Sequence, residues 1–113
     1  IRDRWKTMPK LTPYYCSEKW LERQLVDIIK SLGGECLKLY TISVTGLPDR
    51  LALLPGGQTF FVEVKSQGQK PRAIQSWWHN KLRGLGFTVL IVDSVESLEH
   101  AKVYATEISR GRS

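Results

Sequence analysis

A proline followed by two glycines, in Pro55-Gly56-Gly57-Gln58, separates two apolar-rich runs at 50–54 and 59–65. Glycine enters positive φ without a steric penalty, so such a tetrapeptide reverses the chain tightly and pairs the flanking runs as an antiparallel hairpin. The hairpin also sets a register. With the turn centred between Gly56 and Gly57, Asp49 stands opposite Val64 to within one residue, which places it beside Glu63. Side chains alternate along a strand, so Glu63 and Lys65 project from one face while Phe60, Val62 and Val64 project from the other, into a core.

The remaining elements follow from periodicity and punctuation. Ser17 is placed to cap a helix over 18–32 that carries Leu21, Leu25, Ile28 and Leu32 as one apolar stripe, and Gly33-Gly34 stops it. Residues 35–43 alternate as a strand does and end at the turn Thr45-Gly46-Leu47-Pro48. Pro71 suits the first turn of a second helix that runs to about residue 85, with Trp78 and Leu82 facing the sheet and Gly86 at its end. The unbroken apolar run 87–92 predicts a strand buried on both faces. Asp93 and Glu96 suggest a capping box for a last helix over 94–105. The order αβββαβα defines an α/β fold, a mixed sheet flanked by helices, because a strand-helix-strand unit makes a right-handed parallel crossover.

With 113 residues, the chain has room for one domain with a real core. Met8 is the single methionine, so the domain is expected over 8–108, with 1–7 and 109–113 as tails either disordered or foreign to the natural chain. No apolar run approaches the ~20 residues that span a bilayer, and no signal-peptide pattern opens the chain; an intracellular, cytoplasmic location without membrane attachment is expected. Cys16 and Cys36 make neither a disulfide framework nor a zinc motif. The net charge of +6 is unevenly spread. No acidic residue lies between Val64 and Val92, whereas Lys65, Lys70, Arg72, Lys81 and Arg83 are all basic. A one-signed stretch of this kind suits a polyanion, since phosphate neutralisation releases condensed counterions, and charge alone leaves a solvated basic helix as the equal alternative. Lys70, Arg72, Lys81 and Arg83 are the candidate DNA contacts.

Asp49 and Glu63 bring two carboxylates roughly 5 Å apart at Cβ if they oppose one another across the hairpin. Such a pair binds one hard cation, Mg²⁺ or Mn²⁺, with water completing the shell. The ion can polarise a phosphate and lower the pKa of bound water, and Lys65 can orient that water or offset the charge of a pentacovalent phosphorus. The plain alternative makes Asp49 a turn residue after Pro48, and Glu63 and Lys65 a solvated pair. Pro48-Asp49 at the hairpin entrance favours the chemical reading.

Pro48-Asp49 followed by Glu63-Val64-Lys65 resembles the PD-(D/E)XK nuclease superfamily, whose core is restriction-endonuclease-like. Gly46-Leu47-Pro48-Asp49, then Phe61-Val62-Glu63-Val64-Lys65, then Gln75-x-x-Trp78-x-x-x-Leu82-x-x-x-Gly86, is similar to the virus-type replication-repair nuclease (VRR-NUC) family from about residue 18 to 92. The resemblance implies Asp49 and Glu63 as metal ligands, the Val64 carbonyl as a further one, Lys65 as the catalytic lysine and Gln75 as the active-site glutamine. It also implies a metal-ligating glutamate on the first helix, for which Glu22 is the best match and Glu18 the competitor. His79 is read as a helix-surface residue outside the site, and Trp77 as either a subunit contact or a stacking surface for an unpaired base. A bare domain of this family suggests a homodimer that cuts branched DNA, a four-way junction above all, with no organic cofactor. Two alternatives remain at this point: a flap- or nick-type nuclease, and a non-catalytic module that binds nucleic acid through the basic stretch.

Overall fold

In the computed structural model, which describes residues 16–40 and 44–111, the glycine hairpin is the centre of a four-stranded sheet. The strands are β1 (Glu35–Lys38), β2 (Arg50–Leu54), β3 (Gln58–Val64) and β4 (Val89–Val92), in the spatial order β1-β2-β3-β4. The helices are α1 (Glu18–Ser31), α2 (Ala73–Gly84) and α3 (Val95–Ser109). Neighbours β1-β2 and β2-β3 run antiparallel, and β3-β4 run parallel across the α2 crossover, so the sheet is mixed as expected.

Between β2 and β3, Pro55–Gly57 forms a short 3-10 turn with Gly56 and Gly57 both left-handed, at φ 82° and 77°. Leu54 faces Gln58 and Arg50 faces Val62, so the reversal is centred on Gly56 rather than between the two glycines. Continued one step, this ladder sets Asp49 opposite Glu63 itself.

One face of the sheet is dry. Ala52, Phe60, Val62, Val64 and Val92 meet Leu21, Leu25, Ile28 and Ile29 of α1 and Leu98, Ala101, Ala105 and Ile108 of α3. Leu25 and Val62 are wholly buried; a side chain of that class contributes about 1.5–3 kcal/mol on leaving water. Helix α1 begins where Ser17 accepts a hydrogen bond from the Trp20 N–H (3.1 Å). At its end Gly34 passes so close to β2 that a Cβ would lie 2.2 Å from the Leu53 carbonyl oxygen.

The structure revises several local expectations. The β1 ladder ends at Lys38; residues 41–43, where the predicted strand would finish, lie outside the described residues. Helix α2 starts at Ala73 with Arg72 as its N-cap, leaving Pro71 outside its first turn. Its buried side consists of Gln75, His79 and Leu82, and Trp78 is only half-buried, its ring set edge-on to Trp77 at 5.1 Å. Strand β4 begins at Val89 because the Phe87 N–H bonds the Leu82 carbonyl and closes α2. It is an edge strand among the described residues: Val89 and Val92 are buried, Leu90 and Ile91 only partly, and Phe87 is 47% exposed. Burial on both faces is therefore not what that apolar run encodes. The capping box of α3 uses Ser94 and Ser97 instead of Asp93 and Glu96, and the helix runs to Ser109. A serine hydroxyl oxygen has two acceptor lone pairs, so Ser97 accepts the Asp93 and Ser94 N–H groups (2.8 and 3.0 Å) at once.

Candidate active site

The second face of the sheet carries β3's odd-numbered residues, and α2 lies across it. Pro48 is buried at the entry to β2, and Gly46, at φ 96°, runs so close to α2 that a Cβ would sit 2.9 Å from the Ile74 carbonyl oxygen. This contact delivers Asp49 to the end of β3. There Asp49 Oδ2 accepts the Val64 N–H (3.0 Å), so one carboxylate oxygen is tied to backbone.

Glu63 occupies the middle of the site with no exposed surface. Its Oε2 accepts a hydrogen bond from Gln75 Nε2 (3.0 Å) and lies 3.5 Å from Lys65 Nζ. Gln75 cannot turn its amide around, because its own Oε1 accepts the Arg72 N–H at 2.7 Å. One helix N-terminus thus aims a donor at one carboxylate oxygen. Among the described residues the other oxygen, Oε1, is buried without a hydrogen-bond donor, and Nε2 of His79, 3.5 Å away, is buried without a hydrogen-bond partner. Burial, and after it the negative charge of Asp49, push the Glu63 carboxyl up to about 7 against the pull of Lys65. Burial and the Arg83 charge hold the His79 imidazole below its ordinary range, which keeps it neutral near pH 7.

Of the sequence-predicted residues, Asp49, Glu63, Lys65 and Gln75 converge. Glu22 does not join them: its Oε2 lies 3.2 Å from Arg50 Nε, which also anchors on the Cys36 carbonyl through Nη1 (3.2 Å). Arg50 projects from the sheet face opposite Glu63, as alternation along β2 requires. Glu18, one turn earlier, is the first-helix acid that feels the site. Burial first, then the charges of Asp49 and Glu22, raise its pKa, while Lys65 and Lys38 lower it. A two-way clamp brings it there: the Cys16 N–H donates to Gln67 Oε1 (3.1 Å) and the Gln67 N–H to the Cys16 carbonyl (3.0 Å). Lys70 and Arg72 lie on the loop into α2, and Lys81 and Arg83 on α2 itself, all four exposed. Arg83 also donates to the Val89 carbonyl (2.8 Å), so it secures β4.

His79 is the residue that sequence reasoning left out. The signal was present: it follows Gln75 by four positions, so a helix that directs Gln75 at Glu63 directs His79 there as well.

Paired carboxylates, one with a buried and undonated oxygen, suit a hard divalent cation. Among the described residues no three His, Cys, Asp or Glu side chains gather closely enough to enclose a metal. An open two-carboxylate site is what Mg²⁺ tolerates, since it keeps much of its water and takes phosphate oxygens.

No family model matches the chain. It is 39% identical over 77 residues to the "Putative nuclease p44" of Acyrthosiphon pisum secondary endosymbiont phage 1, covering 68% of this chain and 83% of that protein. A solved structure described as a VRR_NUC domain superposes with a TM-score of 0.70 at 30% identity, covering 75% of this chain and 94% of the other. Taken with the Asp49, Glu63 and Lys65 cluster on a hairpin of this topology, these likenesses establish that the chain belongs to the VRR-NUC family of nucleases.

Proposed function

We propose that this protein is a divalent-metal-dependent endonuclease that hydrolyses phosphodiester bonds in branched DNA, four-way junctions above all, as a homodimer. The observation that carries the reading is the convergence of Asp49, Lys65 and Gln75 on the buried Glu63 carboxylate. Asp49 and Glu63, with the Val64 carbonyl, would hold Mg²⁺ or Mn²⁺, and Glu18 is better placed than the Arg50-bound Glu22 to add a carboxylate from the first helix. When bound, the ion supplies Lewis acidity toward a phosphate oxygen and a lower pKa for coordinated water.

The chain's own residues do the rest. Gln75 locks the Glu63 carboxylate plane, so the ligand pays little reorganisation on binding. The Lys65 ammonium lies 3.5 Å from Glu63 Oε2 on a side chain that is 17% exposed, where it can hold an attacking water and offset the negative charge that develops on the phosphoryl oxygens. Lys70, Arg72 and Lys81 give the approaching backbone a positive border. Two symmetric cuts across a junction ask for two identical sites related by a two-fold axis. Ile74 and Trp77 on α2 and Leu85 at its C-cap are 41%, 55% and 62% exposed, which leaves apolar surface for a second subunit.

The test is cleavage of a labelled immobile four-way junction, a flap and a linear duplex of equal length with Mg²⁺ or Mn²⁺, for the parent, Lys65→Ala and Asp49→Asn. Paired nicks in the junction alone, lost in both variants while binding persists, are expected. Equal cutting of all three substrates would remove branch specificity, and binding without cleavage by the parent would leave only a nucleic-acid-binding module. Sedimentation of the junction-bound protein as a monomer would remove the symmetric resolvase.

A further inference from the structure

We infer that His79 is a positioning residue for the Glu63 carboxylate, an inference that rests on the metal-site reading above. Glu63 divides its two oxygens between two environments. Oε2 has the Gln75 amide and the Lys65 ammonium. Oε1 lies 3.5 Å from His79 Nε2, just beyond a formed hydrogen bond, and among the described residues neither atom has a hydrogen-bond partner. Two buried polar atoms left facing one another are costly, and small rotations of either side chain bring them into contact.

Gln75 and His79 lie one helical turn apart on α2 and address the same carboxylate from the same helix. Gln75 has its orientation set by Arg72, so it acts as a fixed point, and His79 restrains the free end. With its proton on Nε2, the imidazole donates to Oε1 and limits the rotation of the carboxylate about its last bond. An apolar group at that place would remove the donor and leave Oε1 free to turn away from the orientation in which the carboxylate meets a metal. His79 therefore acts on metal binding through Glu63 without touching the DNA.

The test uses two substitutions that separate packing from donation. His79→Leu keeps an apolar side chain of similar reach and removes the donor; His79→Gln carries an amide N–H to about the position of Nε2. Mn²⁺ binding to the free protein is measured by calorimetry, and cleavage kinetics are measured alongside. Outer-shell partners of metal ligands typically alter affinity by ~10–100-fold. His79→Leu is expected to weaken Mn²⁺ binding at least ~10-fold and to lower kcat at subsaturating metal, with KM for DNA unchanged, and His79→Gln to restore both. If His79→Leu proves unfolded by circular dichroism, His79→Asn, polar but too short to reach Oε1, takes its place with the same expectation. Parental Mn²⁺ affinity in the donor-less variant, or loss in His79→Gln equal to that in His79→Leu, overturns the positioning role alone. A parent that binds no Mn²⁺ overturns the metal site and this inference with it.

Discussion

Replacing Glu63 by glutamine is expected to abolish cleavage and, in metal-free buffer, to make the protein more stable. The site holds a carboxylate that would ionise near 4.5 in water and does so only at about 7 in the fold. In an unfolded chain it ionises from pH 4.5 upward, whereas in the folded chain it stays protonated until about pH 7, so stability falls across that interval and then levels off. At ~1.4 kcal/mol per pH unit, the full penalty above pH 7 is about 3 kcal/mol, and water entering the relaxed site reduces it to roughly 2–3 kcal/mol. Glutamine removes the charge and keeps the contacts. Its amide oxygen can take the place of Oε2 before Gln75 and Lys65, and its N–H can donate to His79 Nε2 once the neutral imidazole shifts its proton to Nδ1. For a domain of this size the gain corresponds to a rise in Tm of roughly 10–20 °C at pH 8. The assay is thermal unfolding of parent and Glu63→Gln in chelator, from pH 4 to pH 8. The gain should disappear below about pH 4.5, and added Mg²⁺ at pH 8 should raise the Tm of the parent alone. A variant no more stable than the parent at pH 8, or equally stabilised at both ends of the range, would refute the electrostatic reasoning.

Three further outcomes are expected. Gly34→Ala forces a Cβ to within 2.2 Å of the Leu53 carbonyl and should lower stability by about 2–3 kcal/mol, read by denaturant unfolding, whereas Gly57→Ala meets no atom and suffers only the strain of its positive φ. Cys36 is buried and its thiol is pushed up to about 11, chiefly by burial, so a thiol reagent at pH 8 should modify Cys16 first and reach Cys36 only on unfolding. Lys81→Ala should weaken DNA binding evenly and reduce the slope of log affinity against log salt by about one without a change in Tm, while Arg83→Ala should lower Tm as well because it frees the Val89 carbonyl.

Much of the site could be read from the chain because its parts are local. Asp49, Glu63 and Lys65 sit on one hairpin, so a glycine turn and the alternation of strand side chains were sufficient to bring them together. Gln75 and His79 illustrate the boundary. The i, i+4 spacing told that they share a face of α2, but only the crossover set that face against Glu63. With Trp78 assigned to the core, His79 counts as helix surface, and Gln75 enters the site only through the family resemblance. Glu22 shows the same limit: its place off the apolar stripe made it a candidate ligand, and a non-local partner, Arg50, engages it instead.

The sequence by itself determined the element order, the hairpin and which residues of β3 face the core, because backbone sterics and the two-residue strand period act between near neighbours. The tertiary structure decided what depends on distant parts of the chain: β4 as an edge strand, the clamp from Gln67 to Cys16 that sets Glu18 near Lys65, and the withdrawal of Glu63 from water. Burial and charge proximity are sums over everything that packs around a group, so the ionisation of Glu63, and with it the chemistry of the site, exists only once the helices have closed over the sheet.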